Sequence, residues 1–161
     1  MIRKLLILAM LLGAGIAGHA QTAIGSGKIA PFQIRLTNGQ QFTSSQLAAG
    51  PVVLVYFSPD CDHCQDFTKD MLKNYNVIAN KQVVMVTFQN MDMLKPFVKQ
   101  YSLGNYTNIK VGTEGTTYLV QRYYQIRSFP YIAIYDKKGN LVKTYEGEQP
   151  HAEIFKTMKS I

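Results

Sequence analysis

"VVLVYFSPDCDHCQDFTKDML", residues 52–72, joins a continuous apolar run to the chain's two cysteines, Cys61 and Cys64, and then to a helical pattern. Val52–Phe57 is apolar at every position, as expected of a strand buried on both faces. Beyond Cys61 the period changes: Phe67, Met71, Leu72, Tyr75, Ile78 and Ala79 fall on one helical stripe. The C-x-x-C pair therefore sits where a buried strand ends and a helix begins. Asp60 is the candidate N-cap, which puts Cys61 in the first turn, where free N–H groups and the helix dipole favour a thiolate. Cys64, one turn further in, is expected to be the more buried sulfur. Such a pair can be a redox dithiol, half of a metal site, or two core cysteines that happen to be close.

The compartment bears on that choice. The chain opens "MIRKLLILAMLLGAGIAGHAQ", with Arg3 and Lys4 ahead of the apolar run Leu5–Leu12 and with Gly18 and Ala20 before Gln21. This is the pattern of a cleaved secretory signal peptide over residues 1–20, too short and glycine-broken for a membrane span. No cysteine follows the apolar run, so a lipid anchor is not expected. The mature domain is read as residues 21–161, exported, with the bacterial periplasm as the expected location, where disulfides can persist. A domain of that length buries about two-thirds of its unfolded surface and needs no staple. A bridge across two intervening residues would in any case close almost no loop and add little through chain entropy. Structure thus gives the pair little reason to exist, and chemistry gives it more.

The formal net charge is +7, of which Arg3 and Lys4 lie in the leader. The other cations are scattered, with Lys137–Lys138 adjacent, which reads as solvated faces and not as a nucleic-acid stripe. Elsewhere, "FQIRL" and "QFT" flank Asn38–Gly39, a hairpin signal, and "SSQLAAGP" reads as a short helical turn or loop. Val83–Phe88 is a second buried strand, and Leu94, Phe97, Val98 and Tyr101 mark a helix from about residue 92 to 101. "NIKVG" is a short strand, and Leu119, Tyr123 and Ile126 mark a helix before Pro130. "YIAIY" and "LVKTY" flank "DKKGN" as a hairpin, and Pro150 precedes a closing helix bearing Ile154, Phe155, Met158 and Ile161. Strands alternating with helices, with hairpins at both ends, predict one α/β domain with a mixed sheet.

Strand, C-x-x-C, helix, and a later hydrophobic-Pro step before a β-hairpin resemble the thioredoxin superfamily. "APFQIRLTNGQQFTSSQL" and the segment around "GNYTNIKVGTEGTTYL" look like its exported TlpA/ResA-type redoxin branch, and the resemblance covers nearly all of residues 30–161. It implies a thioredoxin-like three-layer fold, a mixed central sheet flanked by helices, with an added N-terminal β-hairpin. It also implies a thiol–disulfide oxidoreductase that works without a bound cofactor. By position, Cys61 resembles the attacking thiol, Cys64 the resolving thiol with which it forms the redox disulfide, and Pro130 the cis-proline that docks client backbone. Phe129, larger than the residue usual there, would narrow the client groove.

Three departures accompany the resemblance. Asp60 stands where a tryptophan is frequent, Val55 replaces a buried acid six residues before the first cysteine, and Phe67 replaces an acid three residues after the second. Proton handling is left to a water or to Asp66. His63 is expected to stabilise thiolate and raise the oxidising power of the pair, while Asp60 and Asp62 oppose it. The expected clients are exported proteins with cysteine thiols or disulfides, reduced at the expense of a membrane-bound electron donor.

Two other functions compete. A peroxiredoxin-like peroxidase needs P-x-x-x-T-x-x-C, for which Ser58 could replace the threonine but Leu54 occupies the proline position; Arg127, a possible sulfur neighbour, is expected at the surface. An exported copper carrier could use Cys61, His63 and Cys64 with Met91 and Met93, although methionines at a helix start are more often core filler. No zinc-finger spacing is present. A redox-inert thioredoxin-like interaction domain would not need Cys61, Cys64 and Pro130 together.

Overall fold

The computed structural model describes residues 27–161; the expected signal peptide, residues 1–20, and the expected start of the mature chain near Gln21 lie outside the described residues. The strands are β1 (Gln33–Leu36), β2 (Gln41–Thr43), β3 (Val52–Tyr56), β4 (Gln82–Thr87), β5 (Ile109–Thr113), β6 (Tyr131–Tyr135) and β7 (Leu141–Glu146). The helices are α1 (Asp62–Lys73), α2 (Tyr75–Ile78), α3 (Met91–Gln100), α4 (Leu119–Tyr124) and α5 (His151–Lys159). The described strands form one seven-stranded sheet in the order β2-β1-β5-β4-β3-β6-β7. β3, β4 and β5 run parallel, whereas β6 pairs antiparallel with β3, β7 with β6, and β1 with both β5 and β2.

The apolar run of β3 has the origin its pattern predicts. Val53, Val55 and Phe57 enter one core with Phe67 and Met71 of α1, Leu94 and Phe97 of α3, and Ile154, Phe155 and Met158 of α5. Val52, Leu54 and Tyr56 enter the other with Phe32 and Ile34 of the N-terminal segment and Val120 and Tyr124 of α4. Alternate residues of one strand thus serve two layers, and a polar group at any position needs a buried partner, as the Tyr56 hydroxyl finds in Glu114. This is the expected three-layer α/β architecture. The N-terminal hairpin is also present: Asn38 Oδ1 accepts the Gln40 amide at 3.0 Å, and Gly39 takes φ +87°, which a side chain would strain. Gly112 lets this hairpin reach the main sheet, since a Cβ there would lie 2.8 Å from the Arg35 carbonyl oxygen.

Local boundaries depart from the sequence reading at four points. The helix after the cysteines ends at Asn74, whose side-chain amide donates to the Asp70 carbonyl at 2.9 Å, so Tyr75–Ile78 is a separate short helix and Ala79 is exposed. α4 buries Val120 and Tyr124, leaving Leu119 exposed and Tyr123 half-buried: its inward face is shifted one residue from the expected stripe. Met93 is exposed on α3, while Met91 is half-buried against the core. The helix cap at the cysteines also differs.

Candidate functional site

Cys61, and not Asp60, is the N-cap of α1: its backbone is extended, with φ −87° and ψ 117°, and its Sγ accepts the Cys64 amide at 3.2 Å. Asp60 is diverted because its carboxylate accepts the hydroxyl of Ser58, two residues back, in a short hydrogen bond. A sulfur at the N-cap still meets the unsatisfied N–H groups of the first turn. Cys61 is half-exposed, whereas Cys64 is 1 % exposed and packs in the core with Phe67 and Val55. Burial pushes the Cys64 thiol well above the ordinary cysteine range; a hydrogen bond with Cys61 adds to this and the Ser58 backbone amide opposes it.

Ser58 is a buried hub beneath the pair. Its carbonyl accepts the Cys61 amide at 3.2 Å, its hydroxyl donates to Asp60, and its oxygen accepts the Gln89 side-chain amide at 3.2 Å. Nothing in the residue pattern marked Gln89, which comes from the loop after β4. The expected proton handler Asp66 is exposed and held to Lys69 at 3.0 Å, one turn along the outer face of α1. Asp62 is exposed in the first turn of α1. His63 is 53 % exposed and faces Glu148 at 3.8 Å, across from the β7–α5 loop.

The Phe129–Pro130 peptide bond is cis. Pairing of Tyr56 with Tyr131 across β3 and β6 sets Pro130 beside the end of the strand that leads to the cysteines. Pro130 shares with His63, Asp66, Asp70, Glu148 and His151 a cleft of about 360 Å³. Phe129 is half-buried against both cores, its ring 5.8 Å from those of Tyr56 and Phe88. Tyr118, exposed and at φ +47°, extends this aromatic group through Phe88. Arg127 is exposed, as its position suggested.

Two polar pairs near the site escaped the sequence reading because their members are far apart in the chain. Glu114 is buried and holds the Tyr56 hydroxyl at 2.7 Å and the Val120 amide at 2.8 Å. His151, opening α5, meets Asp70 of α1 at 2.8 Å and holds its carboxyl below the usual range, with Lys73 adding to the effect. Among the described residues no group of three or more His, Cys, Asp or Glu side chains is arranged to hold a metal ion, and none of their helices is long and apolar enough to cross a membrane.

A partly exposed sulfur at a helix start, a buried second sulfur one turn on, and a cis-proline just before β6, whose first residue pairs with the end of β3, form an arrangement of the kind dithiol–disulfide exchange requires. Comparison with solved structures places the fold. A secreted disulfide oxidoreductase of Mycobacterium tuberculosis, homologous to DsbE of E. coli, superposes with a TM-score of 0.69 at 16 % identity over 81 % of this chain and 96 % of its own. A putative thioredoxin from Neisseria meningitidis gives 0.67 at 22 % identity, over 83 % and 89 %. The thioredoxin domain of a thiol-disulfide oxidoreductase from Bacteroides vulgatus gives 0.66 at 18 %, over 82 % and 96 %. At these identities the likeness is one of fold. No curated protein matches the sequence. The family model of the thioredoxin-like domain, however, matches residues 39–161, from the turn of the N-terminal hairpin through the last helix, and the chain belongs to the thioredoxin-like domain family.

Proposed function

We propose that this protein is an exported thiol–disulfide oxidoreductase whose Cys61 attacks client sulfur and whose Cys64 resolves the mixed disulfide. The observation that carries the reading is the unequal burial of the two sulfurs, Cys61 half-exposed at the N-cap and Cys64 1 % exposed behind it. A buried thiol cannot meet a protein client but can reach a neighbour 3 residues away in the chain. Phe129 and Pro130 would dock client backbone beside Cys61, the aromatic side chain narrowing the groove. Export to the periplasm rests on the N-terminal pattern, and the secreted relative of M. tuberculosis is consistent with it.

The pair works mainly as a reductant of exported proteins, recharged by a membrane-bound donor. Stabilised thiolate is what makes a strong oxidant. Asp60 and Asp62 stand on either side of Cys61 in the chain, and Glu148 faces His63, so any positive charge on that imidazole is shared with a carboxylate. No observation favours the copper or peroxidase alternatives. The test uses serine variants: Cys64→Ser accumulates mixed disulfides with clients and Cys61→Ser does not, and equal trapping by both defeats the assignment. A reduction potential nearer thioredoxin's, about −270 mV, supports the reductant role, whereas one near −120 mV removes it.

A further inference from the structure

The loop that carries Phe129 and Pro130 is tied to the sheet by one carboxylate. Arg127 and Ser128 are exposed between α4 and β6, and their amides turn to Glu146, the last residue of β7. Glu146 Oε1 accepts the Arg127 amide in a short hydrogen bond and the Ser128 amide at 2.8 Å. The strand register explains the reach, since Glu146 pairs with Tyr131, the residue that follows Pro130. Gly147 then donates its amide to the Pro130 carbonyl at 3.0 Å. The same segment goes on to the opposite wall of the cleft, where Glu148 faces His63 at 3.8 Å and His151 meets Asp70 at 2.8 Å. Residues 146–151 thus hold both the loop before β6 and helix α1, and the cleft lies between those contacts.

From this geometry we propose that Glu146 is a positioning residue of the client groove: by holding the Arg127 and Ser128 amides it fixes the Phe129–Pro130 step against which client backbone is laid. The inference rests on the exchange reading given above. One oxygen that takes two successive amides sets the direction of both peptide planes, and so the path of the chain into Phe129. Hydrogen bonds to a charged acceptor are the strong ones, and this acceptor is anchored in the sheet. Water would satisfy either amide equally well but would leave the loop free to turn. The groove is therefore ordered before a client arrives, and the cost of ordering it is not subtracted from binding. The sulfurs are held separately: Cys61 Sγ accepts the Cys64 amide at 3.2 Å, and the Cys61 amide donates to the Ser58 carbonyl at 3.2 Å. Loss of the Glu146 contacts should thus weaken attack on a client that has a backbone to dock, and not attack on a small disulfide.

The test follows release of thionitrobenzoate by the reduced full-length protein from two disulfides. 5,5′-Dithiobis(2-nitrobenzoate) offers no backbone, whereas a short peptide with a central cysteine, activated as its mixed disulfide with thionitrobenzoate, offers one. In both, Cys61 Sγ attacks and thionitrobenzoate leaves with the electron pair of the broken S–S bond. The readout is the ratio of the peptide rate to the small-disulfide rate in this first step, which a general loss of stability does not move. Glu146→Ala is expected to lower that ratio by roughly tenfold. Two conservative variants separate reach from charge and decide the matter even where Glu146→Ala does not fold. Glu146→Gln keeps an oxygen at the same reach and holds the ratio near that of wild type; Glu146→Asp keeps the charge one methylene short of the amides and lowers it. An unchanged ratio in Glu146→Ala or Glu146→Asp, or a fall in Glu146→Gln as large as in Glu146→Asp, overturns the proposal. Failure of the exchange reading looks different: wild type itself would release no second equivalent from the small disulfide, the one that resolution by Cys64 sets free.

Discussion

Replacing Tyr56 by Phe isolates one hydroxyl in an otherwise unchanged packing. The Tyr56 ring is fully buried at the end of β3, 5.8 Å from the Phe129 ring and 6.4 Å from that of Phe88. These contacts survive the substitution, whereas the 2.7 Å hydrogen bond to Glu114 does not. Glu114 keeps the Val120 amide, but one buried carboxylate oxygen loses its donor. Hydrogen bonds to charged groups contribute about 1.5–3 kcal/mol, so Tyr56→Phe is expected to cost about 2 kcal/mol. For a domain of this length that is a fall on the order of 8 °C in Tm. Urea unfolding followed by tyrosine fluorescence or circular dichroism measures it, with the slope m unchanged if only stability has moved. Glu114→Gln provides the partner arm, since it removes the charge that strengthens the bond from the Tyr56 hydroxyl while leaving an oxygen for the Val120 amide. The double variant should show coupling of about 1 kcal/mol or more between the two positions. A loss below about 0.5 kcal/mol in Tyr56→Phe, or strict additivity, refutes the reasoning, because it means that water replaces the hydroxyl at no cost.

Two further outcomes are expected. Gly112→Ala should destabilise by about 1–3 kcal/mol, because its Cβ would meet the Arg35 carbonyl and the Ile34 side chain at the β1–β5 seam; unfolding of the variant checks this, and a neutral result means the hairpin shifts freely. The His151–Asp70 pair holds the Asp70 carboxyl below its unfolded value, so its contribution is present above the ordinary carboxylate range and is lost as pH falls through the lower folded value. With Asp70 partly exposed that contribution is about 0.5–1 kcal/mol, and the gap between wild type and His151→Gln in urea unfolding should close on acidification.

The features written locally were legible in the sequence. The double-sided burial of Val52–Phe57, the turn at Asn38–Gly39 and the closing helix after Pro150 each depend on periodicity or turn chemistry within a few residues and stand where the pattern puts them; the helix after Cys61 does so in its first three turns. The step from buried strand to C-x-x-C to helix determined the fold class, because a strand apolar on both faces needs a layer on each side. What the tertiary structure decided lies between segments. Ser58 captures Asp60 and so makes Cys61 the helix cap, an outcome that Gln89, 31 residues away, helps to set. Glu114 finds Tyr56 across 58 positions and His151 finds Asp70 across 81, through strand order and helix packing that no local pattern encodes. The inward face of α4 was likewise settled by the core it meets and not by its own spacing. Side chains choose among competing partners by which is brought within about 3 Å with its donors aligned, and only the folded sheet brings those partners there.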